Sequence, residues 1–261
     1  MESVINHQAP FQSTMPQADR APTGIIGLDE MLEGGIPRGR VVLILGSPGS
    51  GKTILCSQFL YNGIVNYGEG GVYVSFDEGK PQFYREMAKL GWDFGELERA
   101  GKFAFVDASP IRSLPGEVKI GGMTIGKRDF SLLSLIQAIR NHSASISAQR
   151  IVLDSMSQLT FQYPDPVERR TAVLDLIDAL ADLGATCLLT SELVAVGMRR
   201  KMQFEEYLVH GVIILQTMRV GKAYGRVIQV EKMRETAIDE QPRPYQITER
   251  GIEVYPRESV F

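Results

Sequence analysis

Short apolar runs alternate with amphipathic stretches along most of the chain. The runs Val41–Leu45, Gly71–Phe76, Ala104–Val106, Arg150–Leu153, Ala185–Thr190 and Val212–Leu215 predict strands. Several are continuously apolar, as strands covered on both faces are. Between them, Leu132, Leu133, Leu135, Ile136 and Ile139 share one helical stripe, and Val173, Leu176, Ile177, Leu180 and Leu183 share another. That spacing buries one side of each helix. The alternation predicts an α/β fold with a mostly parallel, doubly wound sheet flanked by helices. Toward the C-terminus the pattern changes. Tyr224–Met233, Arg243–Thr248 and Ile252–Tyr255 are short strand-like runs parted by turn residues, which predicts antiparallel strands on one edge. Ser109–Arg128, rich in Gly and Pro, reads as a surface excursion. Met1–Ala21 is polar and reads as a flexible N-terminal tail, or as an arm for a partner, ahead of one domain over 22–261.

The first strand runs into Gly46, Ser47, Pro48, Gly49, Ser50, Gly51, Lys52 and Thr53, and a helical stretch opens at Ile54. Strand, glycine-rich loop and helix in that order form a cradle for a nucleoside triphosphate. Glycines let successive backbone N–H groups converge on phosphate oxygens, and the helix adds the positive end of its dipole. Lys52 reaches the outer phosphates, and the Thr53 hydroxyl suits Mg²⁺.

Two further strands end in carboxylates. Ile151-Val152-Leu153 leads to Asp154, placed to hold Mg²⁺ beside Thr53. Val72–Phe76 leads to Asp77 and Glu78. Adjacent residues on an extended chain point oppositely, so one of the two faces the terminal phosphate and orients the attacking water. Glu78 is the first choice and Asp77 the second. Lys232 and Arg234 close the apolar strand Val227–Val230, on one face and separated by Met233. They read either as charges guarding an edge strand or as fingers reaching a neighbouring subunit's nucleotide. Ser191, after the Ala185–Thr190 strand, is a candidate sensor of the terminal phosphate or a hydroxyl capping the loop.

Composition narrows the picture. A 261-residue chain that is 44% hydrophobic builds one sizeable core. Its formal net charge of −3 gives no general attraction to nucleic acid or an anionic membrane. No apolar stretch approaches the roughly 20 residues of a membrane span. Cys56 and Cys187 read as buried hydrophobes of a reducing, cytoplasmic compartment. His7, His142 and His210 lack metal-ligand spacing, so zinc is not expected.

With these motifs in order, the chain resembles the KaiC-type ATPases of the RecA superfamily. The resemblance runs from about Pro22 to Tyr255. It rests on the Thr23–Gly39 opening, the phosphate loop, the Ser75–Glu78 strand end, Asp154-Ser155, Glu205–Leu208 with Gly211–Leu215, and Lys232-Met233-Arg234. It implies a RecA-like phosphate-loop domain in which one strand separates the phosphate-loop strand from the Asp154 strand. It also implies homo-oligomeric, commonly hexameric rings with ATP and Mg²⁺ clamped between subunits, Asp77 and Glu78 as catalytic acids, and Lys232 and Arg234 acting in trans. The family usually shows Glu where Asp77 stands, and the shorter arm implies slower hydrolysis. Glu205-Glu206-Tyr207 occupies the place where a two-domain member carries its phosphorylated Ser and Thr, which disfavours self-phosphorylation. Two other readings stay open. One is a recombinase-related ATPase binding single-stranded DNA through Arg199-Arg200-Lys201, with DNA-repair partners. The other is a non-hydrolysing nucleotide sensor with a signalling partner.

Overall fold

The computed structural model describes residues 19–108, 118–120, 123–125, 132–196, 199–220 and 223–260. In chain order, β1 (Arg20–Ala21) pairs antiparallel with β2 (Ile36–Pro37). Next come β3 (Val41–Gly46), β4 (Gly70–Ser75) and β5 (Phe103–Asp107). A separate hairpin joins β6 (Val118–Ile120) to β7 (Met123–Ile125). Then follow β8 (Ala148–Asp154), β9 (Thr186–Glu192), the short pair β10 (Ala195–Val196) and β11 (Arg199–Arg200), β12 (Gly211–Val220), β13 (Ala223–Met233), β14 (Arg243–Thr248) and β15 (Gly251–Val254). One sheet of nine strands carries the fold, in the order β15-β14-β13-β12-β3-β9-β8-β4-β5.

From β12 to β5 every pairing is parallel, and β13, β14 and β15 add on antiparallel. This is the RecA-like arrangement expected, with β9 lying between the phosphate-loop strand β3 and the Asp154 strand β8. Val41 to Leu45 are all fully buried because helices cover both faces. Val42 and Ile44 pack with Leu55, Phe59 and Phe83 on one face; Val41, Leu43 and Leu45 pack with Leu135, Val173 and Leu176 on the other. Each such side chain contributes on the order of 1.5–3 kcal/mol through removal from water.

Local signals start the flanking helices where the pattern predicts. Asp165 caps Pro166–Ala181 by accepting from the N–H groups of Val167 and Glu168, and Pro166 opens the first turn. Gly51, at φ 90°, turns the chain into Lys52–Tyr67. At the N-terminal side, Asp29 accepts from Thr23 N–H, Thr23 hydroxyl and Gly24 N–H, which explains the Thr-Gly to Asp spacing of the opening motif.

The expected tail ends sooner than Ala21. Arg20 and Ala21 are drawn into β1, where Ala21 is fully buried; residues 1–18 lie outside the described residues. Apart from β6 and β7, so does the Ser109–Arg128 excursion. No helix among the described residues is long and apolar enough to cross a membrane.

Candidate functional site: the phosphate loop and its carboxylates

β3 delivers the loop Gly46–Gly51 to the C-terminal edge of the sheet. The loop's shape depends on two glycines, Gly49 at φ 77° and Gly51 at φ 90°, a region disfavoured for side-chain-bearing residues. Among the described residues, a Cβ on Gly49 would meet nothing within 4 Å, so the loop is open there. At Gly46 a Cβ would lie 2.4 Å from Ser50 Oγ. That Ser50 hydroxyl is buried without a hydrogen-bond partner among the described residues. Lys52 Nζ curls back to donate to Gly46 O at 2.9 Å and Ser47 O at 3.2 Å. Burial lowers its pKa, while the Asp154 and Glu192 carboxylates oppose that shift. Ile54 is half-buried in the first turn of the helix.

Three hydroxyls converge on Asp154. Thr53 Oγ1 donates to its Oδ2 at 2.6 Å, Tyr73 donates to Oδ2 at 2.8 Å, and Thr190 donates to Oδ1 at 2.5 Å. An ionised carboxylate is acceptor-only, so this set suits the charged form. The Tyr73 pKa is pushed well up by burial and by Asp154, which keeps its proton available for that bond. Thr53 and Asp154 present only oxygens, the donor set Mg²⁺ prefers, and the open face at Gly49 fits a phosphate. Metal and nucleotide therefore fit the residues present.

The two strand-end acids differ. Asp77 is exposed, and its Oδ1 accepts from Gln158 Nε2 at 2.7 Å. Glu78 is half-buried, and its backbone N–H is fixed by Ser75 Oγ at 3.0 Å. Burial raises the Glu78 pKa, reinforced by the carboxylates of Glu86, Asp154 and Asp77. Ser191 is buried on β9, opposite Leu45.

Lys232 and Arg234 lie at the other edge of the sheet. β13 ends at Met233, so Arg234 sits in the turn that follows it. Arg234 is exposed. Lys232 is half-buried and donates to Glu206 O at 3.0 Å and Val209 O at 2.7 Å. The Arg234 N–H bonds His210 O, and His210 N–H bonds Val41 O, so this turn is level with the start of β3. Gly46, at the end of β3, is about 16 Å away along the strands.

Sequence reasoning missed several groups. Tyr73 and Thr190 sit inside predicted strands, and nothing in a strand pattern says that both aim at Asp154. The Tyr245 hydroxyl donates to Ser50 O on the loop itself. Beside it opens a groove of about 650 Å³, lined by Thr217, Tyr224, Arg226, Tyr245 and Tyr255 among others. Arg200, expected in a basic cluster, is committed to an ion-paired network. Its Nη1 binds both Glu206 oxygens at 2.7 Å, and its Nη2 pairs with Glu231. Glu231 is the extra residue of a β-bulge in β13.

A phosphate loop, a hydroxyl–carboxylate pair beside it and an intervening strand define a RecA-like phosphate-loop protein. Residues 21–259 match the family model "ATPase: KaiC". The chain belongs to the KaiC ATPase family, whose members are nucleotide-binding ATPases. The UPF0273 protein MJ1359 of Methanocaldococcus jannaschii is 37% identical over 91% of this chain and 96% of its own. The circadian clock oscillator protein KaiC of Synechococcus elongatus is 33% identical over 90% of this chain but only 44% of its own length. Among solved structures, the KaiC-like protein PH0186 of Pyrococcus horikoshii OT3 superposes with a TM-score of 0.77 at 34% identity, covering 92% of this chain and all of that one.

Proposed function

We propose that this protein is a Mg²⁺-dependent ATPase that works as a homo-oligomeric ring, with hydrolysis at subunit interfaces driving a conformational or assembly switch. The observation that carries this reading is the Thr53–Asp154 hydrogen bond beside an open, glycine-lined loop. In this reading the N–H groups of Gly46 to Thr53 hold the phosphates, and Lys52 leaves its two carbonyls for their charge. Thr53 and Asp154 would hold Mg²⁺, which supplies charge neutralisation on the outer phosphates. The groove between Tyr224, Arg226 and Tyr245 has the volume and aromatic walls for a nucleoside. Arg234, a strand's length from its own loop, suits a neighbour's nucleotide.

The decisive experiment is molar mass in solution with and without ATP and Mg²⁺, together with released phosphate. Assembly with phosphate release supports the reading; a monomer with no affinity for any purine triphosphate ends it. ATP binding with no phosphate release would instead favour the nucleotide-sensor alternative. The pairing of Arg200 with Glu206 and Glu231 weakens the DNA-binding alternative, because that guanidinium has little charge left for phosphates.

Glu78 is the general base in this reading, since Asp77 is engaged by Gln158. A base must be ionised to accept a proton, so turnover rises with pH through the Glu78 pKa. Burial and its acidic neighbours raise that pKa, placing the acidic limb above the ordinary glutamate range near about 4.3. Glu78→Gln is expected to lose about 10²-fold or more in turnover and to flatten this limb. An unchanged profile in Glu78→Gln would transfer the role to Asp77.

A further inference from the structure

The turn that presents Arg234 is held by side chains from outside its own hairpin. Arg20, on β1, spends four contacts there and nearby. Its Nη1 donates to Thr236 Oγ1 at 2.6 Å and Gly35 O at 3.3 Å; its Nη2 donates to Glu235 O at 2.8 Å and pairs with Glu33 at 3.0 Å. The Thr236 hydroxyl in turn donates to Arg234 O at 3.3 Å. From the other side, Arg40 pairs with the Glu235 carboxylate. Glu235 itself has φ 61°, a left-handed conformation uncommon for a residue bearing a side chain.

These contacts converge on three consecutive residues. The Arg234 N–H is fixed by His210, its carbonyl by Thr236, the next carbonyl by Arg20 and the next side chain by Arg40. A long, exposed arginine does not need such a base in order to be soluble. It needs one in order to be aimed.

Building on the trans arrangement proposed above, we propose that Arg20, assisted by Arg40, is a positioning residue for Arg234. It clamps the turn after β13, so that the guanidinium meets the neighbouring protomer's nucleotide without searching. Strand β1 thereby becomes part of an active site it never touches. The physical basis is pre-organisation: small misplacements of a catalytic group cost up to about 10²-fold in rate.

The test compares Arg20→Ala, Arg234→Ala and the double variant by single-turnover hydrolysis, alongside ring mass and the affinity of a fluorescent ATP analogue. In the otherwise native chain, Arg20→Ala is expected to lower kcat by about ten- to a hundredfold, with KM, analogue affinity and ring mass close to wild type. Arg20→Lys, which keeps the charge and some of the bonds, recovers part of the loss. In the Arg234→Ala background, Arg20→Ala costs nothing further, because the group it positions is gone.

An equal additional loss in that background overturns the clamp, as does an unchanged kcat in Arg20→Ala. Should Arg20→Ala fold poorly, Thr236→Val removes the hydroxyl link without touching a charge and is read by the same cycle. Full turnover in Arg234→Ala would sink the trans arrangement itself. A dead Arg234→Ala beside a fully active Arg20→Ala would sink only the clamp.

Discussion

Arg234→Ala is expected to lower ATP turnover by roughly 10³-fold or more, the range for an arginine that neutralises transition-state charge across an interface. Its own phosphate loop stays intact, so nucleotide binding persists while chemistry stops. Lys52→Ala is expected to be equally silent for the opposite reason, since it keeps the finger and loses the cradle's ammonium. The geometry then makes a stronger claim about the two together. If each nucleotide is held by one subunit's loop and discharged by its neighbour's Arg234, two inactive variants complement each other on mixing. Random assembly of equal amounts gives about one interface in four with both parts native, and turnover should return in that proportion. Mixtures as inert as their components, despite co-assembly, would mean that no site is shared between subunits.

The second large effect concerns stability. Arg150 is fully buried and Glu69 nearly so; Arg150 Nε bonds Glu69 Oε2 at 2.5 Å, and Arg38 Nη2 reaches Glu69 Oε1 at 2.6 Å. The guanidinium also donates to Phe59 O at 2.9 Å and lies 4.4 Å from the Phe59 ring centroid. It passes so close to Gly63 that a Cβ there would come within 2.2 Å of Nε. Glu69→Ala would strand this cation in the protein interior and is expected to cost about 3–5 kcal/mol, read as a lower urea midpoint. Replacing both partners by apolar groups of similar volume removes the stranded charge, so Arg150→Met with Glu69→Leu should recover most of the loss. If the single and double variants melt alike, the cost is one of packing and not of an unpaired charge.

Much of the architecture is legible in the sequence because its signals are local. Val41–Leu45 announces a strand buried on both faces by being apolar at every position. The shift from long parallel units to short runs parted by turns, after Leu215, marks the antiparallel edge. What is not legible depends on groups that meet across elements. Tyr73 and Thr190 are ordinary strand residues until β4, β8 and β9 are aligned, when both turn out to bond Asp154. The distinction between Asp77 and Glu78 comes from Gln158, on a helix after β8. Two-residue alternation predicts Lys232 and Arg234 on one face, but not that Lys232 is spent on the Glu206 and Val209 carbonyls while Arg234 stays exposed in the turn after β13. Arg20 reads as the end of a polar tail because its partners, at Glu33 and in the turn after Met233, are far away in the chain.

If Arg234 serves a neighbour's nucleotide, the opposite placement of loop and arginine would also govern how this protein responds to its own abundance. β13 runs antiparallel to β12 and carries Arg234 to the far edge of the sheet from Gly46. No rotation of that side chain spans the gap. On the trans arrangement proposed above, a solitary copy would hold half of two different sites and complete neither. Specific activity should climb steeply with protein concentration and collapse on dilution, so mass action would serve as an on-switch before any regulator intervenes.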